Sequence, residues 1–211
     1  ERAKELDLIT IIDGAHVPGH IDLDLSELKA DIYTGACHKW MLTPKGCSFL
    51  YINEEFKNRF DPLIISWGYN VNSNFSDHHE LQGTRDYSAF LTIPTAVQFL
   101  KDNDWDSVSR NCKELVLTNY EKTSSILNGK PICPVSADYL GQICSSSVKT
   151  SESEKLKTIL YKEFNIEVPI MQLGNEFYLR FSAQGYNNQD DIDLLHQALE
   201  TIKKQTNLIQ S

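Results

Sequence analysis

The sequence predicts an α/β fold joined to a smaller α+β unit, and three observations carry that expectation. The opening half alternates short apolar runs with polar connectors. Its first apolar run, "LITII" at 8–12, ends on Asp13. From Asp104 the pattern changes to long amphipathic helices. Strand-like and helix-like segments in alternation suit a sheet covered by helices. Ligands of such sheets collect at the carboxyl ends of the strands.

Taken in order, "LITII" is rich in β-branched residues and bounded by Asp on both sides, the pattern of a strand buried on both faces. The chain enters it from "ERAKELD", which reads as the tail of a helix. Residues 1–103 are therefore expected to be the C-terminal portion of a large domain whose N-terminal part lies upstream. "DLSELKA" predicts a short helical turn and "ADIYTGAC" a second strand. "HKWMLTPKGCSFLYI" predicts a strand end, a turn at Pro44, Lys45 and Gly46, and a third strand. Residues 53–82, with "WGYNVNSNFSDHH", are too long for a plain connector and predict a structured, functional loop. There Trp67 and Tyr69 either line a substrate pocket or pin the loop to the core. "TIPTAVQFLKDN" predicts a helix with Pro94 tolerated near its start.

Residues 104–211 are expected to form a small α+β C-terminal domain of two strands and three helices. Trp105, Val108, Cys112, Val116 and Tyr120 keep helical spacing up to "NGKP". A strand is predicted at "GQICSSSV", then a helix opened by Ser151 with Glu154 completing a capping box. The strand "FYLRFS" follows, and a last helix turns Ile192, Leu195, Leu199 and Ile202 inward.

Composition narrows the function. The net charge is −9 with no Lys/Arg-rich run, which argues against a nucleic-acid partner. No apolar stretch approaches the roughly 20 residues that span a bilayer, so no membrane is expected. Five scattered cysteines without a CxxC pair point to a reduced, cytoplasmic protein. His20, His78 and His79, with Asp77 and Glu80 nearby, match no metal-ligand spacing, and no metal is expected.

Lys39 and Asp13 are the candidates for chemistry. Lys39 ends a predicted strand between His38 and Trp40, where solvated lysines are unusual. A desolvated lysine is a nucleophile toward aldehydes, and pyridoxal 5'-phosphate (PLP) is the aldehyde cofactor held by such a lysine as a Schiff base. That cofactor also needs an acid on its pyridine nitrogen. Asp13, at the end of a strand, is placed to supply it, although "DG" equally suits a turn or helix cap. In "FYLRFS" Phe177, Leu179 and Phe181 share one face and Arg180 the other, so Arg180 needs either an ion pair with a surface Asp or an external anion.

"DGAH", then "CHKW", "TPKGCSFLYI", "QGTRDYSAFLTIPTAVQFL" and "YLRFSAQGYNNQDDID" together resemble the class V aminotransferase family of PLP enzymes, fold type I. "TGACHKW" and "GTRD" are most similar to its isopenicillin N epimerase-like branch. The resemblance implies that Lys39 forms the Schiff base and carries a proton at the substrate α-carbon. By the same resemblance, Asp13 pairs with the pyridine nitrogen, His16 bonds the phenolic oxygen and His38 lies by the phosphate. Gly83 and Thr84 would reach the phosphate of a neighbouring subunit, which implies a homodimer with shared sites. Arg180 would clamp the α-carboxylate of an amino-acid substrate. Ala36 stands where many relatives carry a phosphate-binding hydroxyl, and Thr34, on the same strand face, would substitute for it.

The expected function is an epimerase or aminotransferase acting at the α-carbon of an amino acid. Its alternatives are a cysteine desulfurase or lyase of the same family, or a truncated, catalytically incomplete piece of the fold. The desulfurase needs a loop cysteine. "NIEVPIMQLGNEFYLR" contains none, and Cys133 and Cys144 read as buried thiols.

Overall fold

At the start of the chain, Asp31 ties the connection leading into the first strand to the second. Its carboxylate accepts from the Thr10 backbone N–H at 2.8 Å and from the Thr10 hydroxyl at 2.9 Å, and it pairs with Lys4. The Lys4 ammonium first, then the Thr10 amide, hold the Asp31 carboxyl down at about 2. This network anchors helix α1 (Arg2–Glu5) beside the strands β1 (Ile11–Asp13) and β2 (Ile32–Ala36). The computed structural model describes residues 1–70 and 72–210, so Val71, inside the expected loop, lies outside the described residues.

Strands β1, β2 and β3 (Ser48–Ile52) form one mixed sheet in that order. β1 runs parallel to β2, pairing Asp13 with Thr34, and β3 runs antiparallel to β2, pairing Gly35 with Phe49. β2 is the central strand, which is why Ile32, Tyr33, Gly35 and Ala36 are all buried. Gly35 is required there, because a Cβ would meet the Phe49 ring at 2.5 Å.

One expectation fails at β1. Ile11 is 71 % exposed, and Leu8 and Ile9 are also more than half exposed, so this run is not buried on both faces.

The short helix α2 (Leu25–Leu28) is capped by Asp24, whose carboxylate accepts from the Ser26 amide at 2.7 Å. After β3 a 3-10 turn occupies Glu54–Arg59. Helix α3 (Phe75–Glu80) then opens with a reciprocal Asn74/Asp77 capping box. Trp67 is 93 % exposed, so it does not pin the loop to the core, whereas Tyr69 packs against His78 at 4.7 Å. Helices α4 (Ser88–Leu91) and α5 (Ile93–Asp102), the latter with Pro94 in its first turn, complete this part. It forms one compact unit, Glu1–Asn103, and Asp104–Ser211 forms a second.

The second unit is built on helix α6 (Trp105–Ile126), which buries Cys112, Val116 and Tyr120 at the predicted spacing. Its sheet has the order β4 (Ile143–Val148), β6 (Glu176–Ser182), β5 (Ile170–Leu173), all antiparallel. β5 is a third strand where two were expected. It joins β6 through Gly174-Asn175, with Gly174 at φ +61°, the left-handed conformation that a tight hairpin turn uses.

Helix α7 (Ser153–Phe164) also departs from expectation. Its N-cap is Glu152, without a side-chain cap bond, so Ser151 and Glu154 form no capping box. The Thr150 hydroxyl instead accepts from the Glu152 amide at 3.1 Å and stabilises the turn before the helix. Helix α8 (Gln189–Gln205) begins with a true capping box from Asn188 and Asp191 and buries Ile192, Leu195, Leu199 and Ile202. These meet Leu156, Leu160, Leu179 and Tyr120 in one continuous core. Among the described residues no helix is long and apolar enough to cross a membrane.

Candidate functional site

Because β1 and β2 are parallel, their carboxyl ends meet at one edge of the sheet, and Asp13 and Thr34 sit there, with His16, His38 and Lys39 in the segments that follow. Asp13 closes β1 and faces solvent. One of its oxygens accepts from the Ala15 amide at 3.0 Å, so the turn-forming role that "DG" suggests is present. Gly14 continues the pairing, donating to the Thr34 carbonyl at 2.8 Å. It packs so closely on Tyr33 that a Cβ would lie 2.0 Å from the Tyr33 oxygen. Tyr33 is buried, and burial first, then the nearby Asp13 charge, raise its phenol.

Sequence reasoning ends the second strand at Lys39, but β2 ends at Ala36. Cys37 to Met41 form a turn instead, closed by the Thr43 amide donating to the Cys37 carbonyl at 3.2 Å. Lys39 is thus a half-buried turn residue, and among the described residues its ammonium makes no ion pair or hydrogen bond. A lysine placed so is reachable by an aldehyde. His38 donates from Nδ1 to the Cys47 carbonyl at 2.9 Å, which ties the turn to the start of β3. Thr34, half-buried, shares the register position of Asp13 and hence its face.

Two contacts at this edge were missed. Trp40 donates from its indole nitrogen to His16 Nδ1 at 3.1 Å. His20, considered from sequence as a metal ligand without the spacing for it, stacks on Trp40 with ring centroids 4.4 Å apart. The available signal was the Trp that directly follows His38-Lys39. The indole thereby joins the lysine turn to the "DGAH" loop.

Other elements carry the remaining candidates. Gly83 (φ +82°) and exposed Thr84 sit in the loop before α4, where the Gly83 carbonyl accepts from the Tyr87 hydroxyl at 3.0 Å. Arg180 belongs to the second unit, on β6, opposite Ser145 and on the face away from Leu179 and Phe181. It is half-buried, and among the described residues its guanidinium has no ion pair. The surface Asp considered from sequence is therefore not its partner.

His78 and His79 turn to different rings, His79 lying 4.2 Å from Phe75, and Asp77 caps α3. Cys144 is buried, and burial drives its thiol well above the ordinary range; burial also raises Cys37, to about 11, with Cys47 contributing. Thiols held protonated in this way are poor nucleophiles. A shallow cavity of about 360 Å³ in the second unit, lined by Lys157, Tyr161 and Glu167 among others, contains none of these candidates.

The family model for class-V aminotransferases matches residues 1–195. The chain belongs to the class-V aminotransferase family. It is 30 % identical over 97 % of its length to isopenicillin N epimerase of Amycolatopsis lactamdurans, covering 55 % of that protein. It is 26 % identical over 89 % of its length to hercynylcysteine sulfoxide lyase of Schizosaccharomyces pombe, covering 50 % of it. This class-V chain therefore spans about half the length of the curated relatives it matches. Among solved structures, an apo cysteine desulfurase from Thermococcus onnurineus superposes with a TM-score of 0.80 at 21 % identity, over 96 % of this chain and 54 % of that one. The fold is fold type I of the PLP-dependent enzymes.

Proposed function

We propose that the chain carries the lysine-bearing part of a PLP site and acts at the α-carbon of an amino acid or amino-acid-containing substrate, in the manner of an isopenicillin N epimerase-like enzyme. The observation that carries this reading is the gathering of Asp13, His16 and Lys39 at one strand edge in a class-V chain. The residues present fit the cofactor: an exposed carboxylate, an imidazole locked in place and a half-buried primary amine share the edge. The glycine beside the carboxylate also lets the backbone lie flush on Tyr33.

Bound PLP supplies an electron sink for charge developing at the substrate α-carbon. The residues of the chain would do the rest. The Asp13 carboxylate keeps the pyridine nitrogen protonated, and His16 hydrogen-bonds the phenolic oxygen. Lys39 Nζ would hold the cofactor and, once released from it by the substrate amine, would remove a proton from the α-carbon and return one to it. His38 and Thr34 would serve the cofactor phosphate, and Gly83 and Thr84 would serve the phosphate of a neighbouring subunit in a homodimer. The Arg180 fork would take the substrate carboxylate, a geometry that suits Arg better than Lys. The scattered cysteines support a cytoplasmic setting.

The lyase relative gives a second reading, elimination at a carbon–sulfur bond. It draws on the same residues. Adding PLP, reducing with borohydride and mapping the labelled peptide tests the shared part: the label should fall on Lys39 and vanish in Lys39→Ala. A defined adduct that persists in Lys39→Ala refutes the assignment. Proton exchange at the α-carbon in deuterated water, without release of a sulfur product, then favours epimerisation over elimination.

A further inference from the structure

Trp40 follows Lys39 in sequence, yet its indole reaches His16. An indole N–H only donates, so the 3.1 Å bond makes His16 Nδ1 the acceptor and leaves the proton of the neutral ring on Nε2. Trp40 is itself held in place. It is 7 % exposed, and the His20 ring stacks on it 25° from parallel. His20 Nδ1 in turn donates to the His16 carbonyl at 2.9 Å, so His16, His20 and Trp40 close a ring of contacts. Gly19, at φ +76°, lets the chain turn tightly enough for this, because a Cβ there would lie 2.7 Å from the Trp40 carbonyl.

We propose that Trp40 is a positioning residue that fixes the tautomer and rotamer of His16, so that the imidazole presents an N–H donor to the phenolic oxygen of the cofactor ring. The inference rests on the PLP reading above. An anionic phenolic oxygen is stabilised by a donor and repelled by a lone pair. Left alone, a neutral imidazole exchanges tautomers, and flipping the ring swaps its two nitrogens. The indole bond removes both freedoms before any cofactor arrives, and groups ordered in advance bind with less entropic loss.

The test begins on the protein without PLP, by nitrogen-15 NMR of its histidine rings. A through-hydrogen-bond coupling between Trp40 Nε1 and His16 Nδ1 is expected, with an unprotonated-type shift at Nδ1. Trp40→Phe should lose the coupling and move the His16 shifts toward those of a tautomer mixture. A protonated Nδ1, or no coupling in the unmutated protein, overturns the inference without recourse to any variant.

The second arm measures PLP affinity by absorbance titration. Trp40→Phe should weaken it roughly tenfold, the size of one well-oriented hydrogen bond. In a His16→Gln background, where the amide donates instead, Trp40→Phe should change affinity little, because the two residues act through one contact. An equal loss in both backgrounds overturns the coupling through His16. A coupling present in protein that never traps PLP on Lys39 overturns the orienting role and the parent reading together, whereas an absent coupling with PLP trapped on Lys39 overturns the inference alone.

Discussion

Replacing Gly14 by Ala places a methyl where the Tyr33 ring already stands. The added Cβ would lie 2.0 Å from the Tyr33 oxygen, 2.1 Å from Cζ and 2.5 Å from Cε2. Tyr33 has little room to yield, since it is 1 % exposed and its ring lies 6.0 Å from that of Phe49. Overpacking a close-packed site costs about 1–3 kcal/mol, while Gly→Ala returns about 0.4–1 kcal/mol through the unfolded chain. The net expectation is a loss of about 1.3 kcal/mol, or roughly 5–10 °C in the melting of a unit the size of Glu1–Asn103. Tyr33→Leu ends short of all three contacted atoms. A urea-unfolding cycle should therefore show Gly14→Ala costing under about 0.5 kcal/mol in the Tyr33→Leu background, a coupling of about 1 kcal/mol. Equal costs in both backgrounds would refute the close-approach argument, and with it the account of why a glycine follows Asp13.

Acid stability is a second check. The Asp31 carboxyl sits at about 2 when folded against an ordinary value of 3.8, so its contribution is fully present above about pH 4 and is lost as pH falls through 2. Asp31→Asn should flatten that part of the acid-unfolding curve, followed by circular dichroism; an unchanged curve refutes it. In the second unit, the buried Tyr120 hydroxyl donates to the Ser145 carbonyl and accepts from the Ile132 amide at 2.9 Å, while burial pushes the phenol up to about 12. Tyr120→Phe should cost about 1–3 kcal/mol in denaturant, because two backbone groups lose their partner. On the proposed function, Arg180→Lys should raise KM for an amino-acid substrate roughly tenfold to a hundredfold with no loss of fold, as bidentate binding of the carboxylate is lost.

Much of the fold was legible because its signals are local. The spacing of Trp105 through Tyr120 and of Ile192 through Ile202 named the buried faces of α6 and α8. The alternation in "FYLRFS" placed Leu179 and Phe181 inside, and both are buried. Misreadings came where tertiary context or competing local chemistry decides. "LITII" has the composition of an internal strand, but burial depends on what packs over its faces, and Leu8, Ile9 and Ile11 are exposed. Ser151 and Glu154 have capping-box spacing, yet Thr150 captured the free amide one residue later. β5 was hidden because "PIMQL" is short and Pro-flanked, although the Gly174-Asn175 pair after it is a hairpin signal. At the candidate site, Asp13 and Lys39 were legible from residue type and position. The Trp40–His16 bond was not, since it joins residues far apart in sequence.

The Gly174-Asn175 turn has a consequence for Arg180. Side chains on a strand point to alternate faces, so a hairpin turn acts as a phase setting for everything downstream of it. Adding one residue to β6 while keeping its ladder with β4 and β5 would send the guanidinium into the core that Leu179 occupies and bring Leu179 out to the open face. Length changes in this turn would then be tolerated only when the strand beyond keeps its parity, and the chemistry that Arg180 can offer is tied to a two-residue bend that touches no ligand.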